Sequence, residues 1–349
     1  MSRVIVLPMA LFASGFAIFL SAAPALAQPA GDFYKGKQIT LLVGSGAGGG
    51  YDAYARVFAR HAGKHIPGNP AFVVKNLPAA GGMAAANTLY SGSGSDGLVI
   101  AAHTNGIAMD PLFGNPAAKF DGRKFAWLGS IGKLQNVCAV WHLNPVKTIQ
   151  QAREKEVTVA GAGATSNTVI VPKIINALLG TKFRVIAGYE PGQGDAIAME
   201  AGEVDGVCGL AWSTIKASRY TWIKDKKITV LVQMAMEKLP DLPDVPSALE
   251  LVGDEDSRKV LELILIRQEM GRPFAAPPGT PADRVAVLRQ AFDATMKDPD
   301  FVAEAARAQM EIEPLTGARI DALLATAYDA PGEVVRRAAS LIEGGSQGK

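Results

Sequence analysis

Residues 39–56 read ITLLVGSGAGGGYDAYAR, which is a short apolar run, a glycine-rich turn and the start of a segment with helical composition. A glycine-rich turn between a strand and a helix lets several backbone N–H groups point at one place in front of the helix, where an anion is stabilised. The spacing Gly44-x-Gly46-x-x-Gly49 also matches the dinucleotide-binding fingerprint. The stretch therefore supports two hypotheses, a nucleotide-binding enzyme and a cleft that holds a small anion.

Short β-rich runs alternate with longer helical ones along the chain. The first half has three predicted strands and two predicted helices, at 39–43, 72–75 and 99–102, and at 53–65 and 82–90. The second half repeats this arrangement, because the predicted strand 157–160 leads through a small-residue turn into an apolar helix. Such alternation is typical of an α/β fold with a mostly parallel sheet, whose ligands bind beyond the carboxyl ends of the strands. The proline-bounded segment 274–281 is predicted to be a connector.

The first 27 residues have the composition of a secretory signal peptide. Arg3 is their only charge, residues 4–20 are apolar, and small residues precede Gln28. An uncleaved membrane anchor is the alternative, because the apolar run approaches the length of a spanning helix. We predict a cleaved signal peptide, residues 1–27, and a periplasmic protein. No twin-arginine signal is present, which argues for export without a pre-bound cofactor.

Length and charge exclude some classes of protein. The chain has 349 residues, which is long for one domain and sufficient for two. Its formal net charge of +2 gives no reason to expect binding to nucleic acid or to an anionic membrane surface. We therefore expect no nucleic-acid partner.

Cys138 and Cys208 are the only cysteines. Export to an oxidising compartment permits a disulfide between them. The sequence does not show whether their Cα atoms lie within bridging distance, so two buried free thiols are the alternative.

The enzyme hypotheses lack the residues that they need. A dinucleotide site requires an acidic residue after the second strand, but the chain continues there as Lys75-Asn76-Leu77-Pro78. The segment 163–167 lacks the Gly-x-Ser-x-Gly elbow of hydrolases. We predict no catalytic residue and no cofactor. An exported enzyme with a dinucleotide-like glycine turn is kept as the alternative function.

The histidines give no clear metal site. His61 and His65 are four residues apart on one predicted helix face, which suits either a metal ion or a solvated surface. No glutamate stands between them in the zincin pattern, and we predict no metal. His103 follows the third predicted strand, where either a structural imidazole or a ligand contact is possible.

The ends of the predicted strands favour an anion. Two helix N-termini that face each other across a cleft each stabilise negative charge by about 0.3–1 kcal/mol. With several backbone N–H bonds, a small carboxylate can be held without an arginine. Asp52 would repel such a ligand, so we interpret it as a group that caps the first helix and orients the glycine turn, or as an acceptor for bound water.

Several segments resemble one known family by their order and spacing. They are Ile39–Val43 with Gly48–Asp52 and Ala55-Arg56, Asn76-x-Pro78-x-Ala80-Gly81-Gly82, Gly202–Gly206, Leu242–Ser247 and Ala276–Pro281. Together they resemble the periplasmic solute-binding receptors of tripartite tricarboxylate transporters, the Bug or TctC-like family, over nearly the whole mature chain.

The resemblance implies a two-lobed periplasmic-binding-protein fold of type II, in which each lobe is a mostly parallel sheet flanked by helices. Such a receptor captures a small organic anion, a carboxylate, between its lobes and passes it to the membrane permease subunits of the transporter. The chain should cross between lobes near 137–140 and 266–274. We thus expect lobe I at 28–138 plus 266–349 and lobe II at 139–265, in a monomer.

The resemblance also implies that three turns hold the ligand. We call them the first turn (44–49), the second turn (102–106) and the third turn (161–167). The implied ligand-binding residues are Ser45, Gly46, Ala47, Gly48, Gly49 and Asp52, then Thr104 and Asn105, then Gly163, Ala164, Thr165, Ser166 and Asn167, with Tyr189 and Trp212. For Trp212, packing in the core is the alternative to a pocket wall. Ser45 and Tyr51 depart from the family's Phe and Thr, and this sequence has Glu190 where the family has Lys.

Overall fold

The computed structural model describes residues 30–163, 166–190 and 193–343, which form eleven strands and fourteen helices. The strands are β1 (Gln38–Val43), β2 (Ala71–Asn76), β3 (Val99–Ala102), β4 (Ala126–Ser130), β5 (Asn136–Trp141), β6 (Val157–Gly161), β7 (Phe183–Ala187), β8 (Gly206–Ala211), β9 (Ile228–Met234), β10 (Pro273–Ala276) and β11 (Leu315–Thr316). The helices are α1 (Ala30–Phe33), α2 (Gly50–Ala62), α3 (Met83–Asn87), α4 (Ile149–Glu154), α5 (Asn167–Leu179), α6 (Gly194–Glu200), α7 (Trp212–Ser218), α8 (Tyr220–Lys224), α9 (Ala248–Leu251), α10 (Glu255–Met270), α11 (Ala282–Lys297), α12 (Pro299–Arg307), α13 (Gly317–Tyr328) and α14 (Gly332–Glu343).

The first sheet has the strand order β11-β4-β10-β3-β1-β2. β1 runs parallel to β2 and β3, whereas β10 is antiparallel to both of its neighbours. One face is covered by α2, α11 and α12, where Phe58 packs against Phe274 and Phe292 at ring distances of 4.6 and 5.4 Å. The segment at 274–281 was predicted to be a connector only. Its first residues instead form part of β10, in the interior of this sheet.

The second sheet has the strand order β7-β6-β8-β5-β9. β6 is parallel to β7 and β8, and β5 is antiparallel to β8 and β9. Cys138 and Cys208 are paired positions of β5 and β8, are fully buried, and form a disulfide. The predicted α/β architecture of two helix-flanked sheets is confirmed, with antiparallel strands in both sheets.

Over the residues that the structure describes, the chain passes between the two sheets at three places. The first crossing is 131–135, and the second is at Gly271 and Arg272. Two backbone hydrogen bonds join these crossings, because Ile131 N–H donates to Arg272 O (3.2 Å) and Arg272 N–H donates to Gly132 O (3.1 Å). The first crossing precedes the predicted 137–140, because β5 pairs within the second sheet from Asn136 onward.

The third crossing lies between α13 and α14. Although α13 packs on β4 of the first sheet, α14 packs on α5 and α10, and Arg337 Nη2 donates to Ser257 Oγ at 2.7 Å. The predicted lobe I included the C-terminal segment in full. The contacts instead place α14 with the helices of the second sheet. We therefore propose a revised division of the chain, in which residues 332–343 belong to lobe II.

The crossings also determine which edges of the sheets meet. β4 ends at Ser130 and β5 begins at Asn136, and only five residues separate them. β1 and β3 end at the edge where β4 ends, and β6 and β8 end at the edge where β5 begins. The carboxyl ends of the parallel strands in both sheets therefore lie at the edges that the crossings join, where α/β sheets bind ligands.

Candidate functional site

The first turn connects β1 to the N-terminus of α2. Within the described residues, the backbone N–H groups of Ser45, Gly46 and Ala47 donate no hydrogen bond, and the turn is exposed from Gly46 onward. Gly82 approaches this turn so closely that a Cβ on it would lie 2.7 Å from Gly44 O, and its φ is +98°. Consecutive unpaired N–H groups in front of a helix form an anion-binding arrangement.

Asp52 holds the first turn in this conformation. Its carboxylate accepts hydrogen bonds from Gly48 N–H (2.8 Å), Arg56 Nε (2.9 Å) and Asn76 Nδ2 (2.8 Å). Asn76 Nδ2 also donates to Ser45 O at 2.9 Å. Burial raises the pKa of Asp52, but the bonds from Arg56, Gly48 and Asn76 outweigh it, and the pKa is lowered. The N-cap residue of α2 is Gly49, so Asp52 orients the turn rather than capping the helix.

Replacing Asp52 by Asn is expected to lower the free energy of unfolding at pH 7 by about 1–3 kcal/mol, because a neutral amide loses charge-assisted bonds. Since the folded-state pKa is lowered, the carboxylate's contribution is complete above its unfolded pKa of about 3.9 and disappears as pH falls through the folded pKa. Urea denaturation at pH 7 and in acid measures the difference. Asp225→Asn, at a half-exposed ion pair with Lys227, is the control. A deficit for Asp52→Asn that is equal at both pH values would contradict this role.

The second turn follows β3, and the Thr104 hydroxyl, the Asn105 N–H and Asn105 Oδ1 already have partners. Thr104 Oγ1 donates to Gly81 O at 3.3 Å. Asn105 is 7% exposed, and its N–H donates to the Tyr51 hydroxyl at 3.1 Å, while that hydroxyl donates to Asn105 Oδ1 at 3.3 Å. Tyr51 therefore spans from α2 to the second turn.

His103, at the start of the second turn, is fully buried between Phe125 and Trp127. Burial lowers its pKa to about 3, so the imidazole is neutral at physiological pH. Neither ring nitrogen has a hydrogen-bond partner in the described part of the chain. This environment favours the structural imidazole over the ligand contact.

The third turn leads from β6 into α5. Ala164 and Thr165 lie outside the described residues. Gly163 is exposed, and Ser166 is the N-cap residue of α5, with its N–H donating to Gly163 O at 2.9 Å. Ser166 Oγ lies 3.0 Å from Thr168 Oγ1, which accepts from Ala162 N–H. Asn167 is the first residue of the helix and is half-buried.

Tyr189 and Trp212 stand in different environments. Tyr189 follows β7, is half-buried, and donates its hydroxyl to Glu203 Oε2 at 3.2 Å. Trp212 is 4% exposed, and its Nε1 donates to Asp241 Oδ2 at 3.0 Å. The burial of Trp212 favours the core-packing alternative.

Sequence reasoning missed two arginines at the junction between the sheets. Arg272 is 6% exposed, lies 3.9 Å from the Tyr54 ring, and donates to Lys133 O (3.3 Å) and Ser213 Oγ (3.5 Å). No described carboxylate lies within ion-pair distance of it. The only signal in the sequence for Arg272 and for the second arginine, Arg267, was their position in the predicted crossing at 266–274.

Arg267 has a weak partner. Its Nη2 lies 3.9 Å from Asp110 Oδ1, and burial raises the pKa of Asp110 to about 6. Its buried Nε has no hydrogen-bond partner among the described residues. Positive charge is therefore incompletely compensated near the second turn.

The histidines that were considered for a metal lie within hydrogen-bond distance of carboxylates. His61 Nε2 lies 2.6 Å from Glu304, and His65 Nε2 lies 2.8 Å from Asp298, which joins α2 and the turn after it to α12. The described residues contain no group of three or more metal-ligating side chains. They also include no helix whose length and apolar character would suffice to cross a bilayer.

Comparison with known proteins agrees with this architecture. A UPF0065 protein of a Pseudomonas species is 27% identical over 278 residues, which cover 78% of this chain and 77% of the relative. A TctC solute-binding protein from Polaromonas superposes with a TM-score of 0.66 at 21% identity, over 87% of this chain and 99% of that one. An R. palustris protein solved with adipate has a TM-score of 0.63 at 19% identity, over 87% and 98%.

The family model described as tripartite tricarboxylate transporter family receptor matches residues 54–335. The family and the fold are those of substrate-binding proteins rather than of enzymes, and the resemblance inferred from the motifs is confirmed. This chain belongs to the TctC family of tripartite tricarboxylate transporter receptors.

Proposed function

We propose that the protein is an extracytoplasmic receptor that captures a small carboxylate between two lobes for a tripartite tricarboxylate-type transporter, without chemistry of its own. The observation that carries this proposal is the row of N–H groups at Ser45, Gly46 and Ala47 in front of α2, which have no partner in the described part of the chain. The R. palustris relative, solved with adipate, supports a carboxylate as the ligand class.

In this proposal a carboxylate accepts hydrogen bonds from the first turn. Bonds to a charged group contribute about 1.5–3 kcal/mol each, and the helix terminus adds about 0.3–1 kcal/mol. Asp52 does not oppose the ligand, because Arg56 is bonded to its carboxylate. Arg267 and Arg272 add positive potential on the side of the second turn.

Closure requires that the ligand contact both lobes, because a ligand shifts a conformational equilibrium only by its difference in affinity for the two states. We assign the second contact to the third turn, in which Gly163, Ser166 and Asn167 are the described candidates. The hinge is placed at the crossings, where a Cβ on Gly271 would lie 1.8 Å from Gly132 O. Arg272, which contacts Tyr54 and Ser213 on opposite sides of the hinge, links the two lobes.

The cellular setting is part of the proposal. Residues 1–27 direct export and are removed, so that the receptor acts as a periplasmic monomer. Its partners are the ligand and the permease subunits, and nucleic acid is not among them. The alternative, an exported enzyme that uses the glycine turn for a nucleotide, has the fingerprint spacing as its only support.

A thermal-shift screen of mono-, di- and tricarboxylates tests the function. Ligand at one hundred times its Kd stabilises the folded state by about 2.7 kcal/mol, which raises the melting temperature. The amide of each active acid is the matched control and should have no effect. Mass spectrometry of the recovered acid should show it unchanged. The proposal fails if no carboxylate raises the melting temperature while a nucleotide does.

A further inference from the structure

We infer that Tyr51 determines ligand length: its phenol, rather than Thr104 or Asn105, contacts the ligand on the side of the second turn and closes that end of the site to all but short acids. This inference rests on the proposed function. It concerns a residue that takes the place of two of the implied ligand contacts.

Two donors of the second turn that the resemblance assigned to the ligand already have protein partners. The Asn105 N–H donates to the Tyr51 hydroxyl, and the Thr104 hydroxyl donates to Gly81 O. Asn105 is buried, and the aromatic ring of Tyr51 reaches it from the helix that follows the first turn. The Tyr51 side chain therefore lies between the start of α2 and Asn105, where we expect it to contact a ligand bound at the first turn.

The Tyr51 hydroxyl is able to redirect its proton. Its bond to Asn105 Oδ1 is 3.3 Å long, whereas O–H···O bonds are usually about 2.7–2.8 Å. A ligand carboxylate offers a shorter, charge-assisted bond to the same proton. The Asn105 N–H, which donates to the phenol oxygen at 3.1 Å, keeps the ring in place meanwhile.

The positive charges near the Tyr51 phenol favour an anion beside it. Burial raises the pKa of Tyr51, so the phenol retains its proton at neutral pH, while the charges of Arg272 and Arg267 act on it in the opposite direction. Among the described residues, Arg272 has no carboxylate within ion-pair distance, and Arg267 has only Asp110, at 3.9 Å. An acid group at Tyr51 therefore lies in a positive potential, and the ring limits how long the ligand can be.

Isothermal titration of a diacid series, malonate, succinate, glutarate and adipate, tests the inference. Wild type is expected to prefer the short acids. Tyr51→Thr, which removes the ring, should shift the ratio of the adipate Kd to the malonate Kd at least tenfold toward adipate. Tyr51→Phe, which removes only the hydroxyl, should weaken all binding acids about tenfold and keep the preference for short ones. Melting temperatures of the ligand-free variants report whether they fold.

Tyr34→Phe is the matched control, because Tyr34 is a buried tyrosine whose hydroxyl donates to Gly97 O, away from the site. It should leave every Kd unchanged. An unchanged length ratio in Tyr51→Thr overturns the inference. If that variant does not fold, unchanged affinities in Tyr51→Phe overturn it. Failure of the proposed function has a different signature, since wild type would then bind no acid of any length.

Discussion

Gly49→Val is expected to weaken carboxylate binding at least thirtyfold, which corresponds to about 2 kcal/mol. Gly49 is exposed at the end of the first turn, and the valine side chain would stand beside the unpaired N–H groups. The backbone tolerates the change, because φ is −77° and ψ is 168°, a conformation that valine adopts readily. A Cβ would meet Gly46 O at 3.5 Å, which is ordinary contact. Stability should fall by about 1 kcal/mol at most, since valine is a poorer N-cap than glycine.

Titration of the bound acid and urea denaturation of the ligand-free protein separate these two effects. Gly253→Val is the matched control, because Gly253 is also exposed with open space around its Cβ position and precedes α10 at the end remote from the crossing. It should leave the affinity unchanged. If Gly49→Val reduces affinity and stability by equal amounts, the first turn has only a structural role.

Removing the disulfide by the double substitution Cys138→Ala and Cys208→Ala is expected to cost about 4 kcal/mol of unfolding free energy. The bond joins β5 to β8 across a sequence separation of 70, so the unfolded chain without it gains the freedom of a long loop. Both positions are fully buried, and the loss of two sulfur atoms from the core adds to the effect.

Equilibrium denaturation of wild type and the double variant gives this difference directly. Wild type measured with reductant is the control, because the reductant breaks the bond without replacing the cysteine side chains. The denaturation midpoint of reduced wild type should move toward that of the variant. If the variant and oxidised wild type have the same stability, the disulfide contributes nothing to the folded state.

Local pattern predicted most of the individual elements. The strand expected at 39–43 is β1 (Gln38–Val43), and the strands expected at 72–75 and 99–102 are β2 and β3. The helix expected at 53–65 begins earlier, at Gly50, because Gly49 takes the N-cap position. The helix expected at 82–90 begins at Met83, since Gly81 and Gly82 adopt positive φ, and after α3 it continues as a π-helical turn over Thr88–Gly92.

The pairing of strands and the packing of helices that are distant in the sequence could not be predicted from local pattern. Nothing local shows that β10 inserts between β3 and β4, or that α14 leaves the first sheet for α5 and α10. In the site, the strand-to-helix turns were predictable from glycine and small residues. The partners of Asp52 were not, because Asn76 is brought to it by the pairing of β1 with β2. Arg267 and Arg272 carry no pattern of their own, and only their place in the junction makes them relevant.

The placement of β10 and α14 has a consequence for the order of events during biogenesis. The first sheet is incomplete until residues 273–276 join it, and the apolar face of α5 is uncovered until Val334 and Ala338 reach it. Neither half can complete its core before nearly the entire chain is available. Folding of both halves therefore follows the release of the C-terminal residues, and until then their apolar surfaces stay uncovered and prone to aggregation.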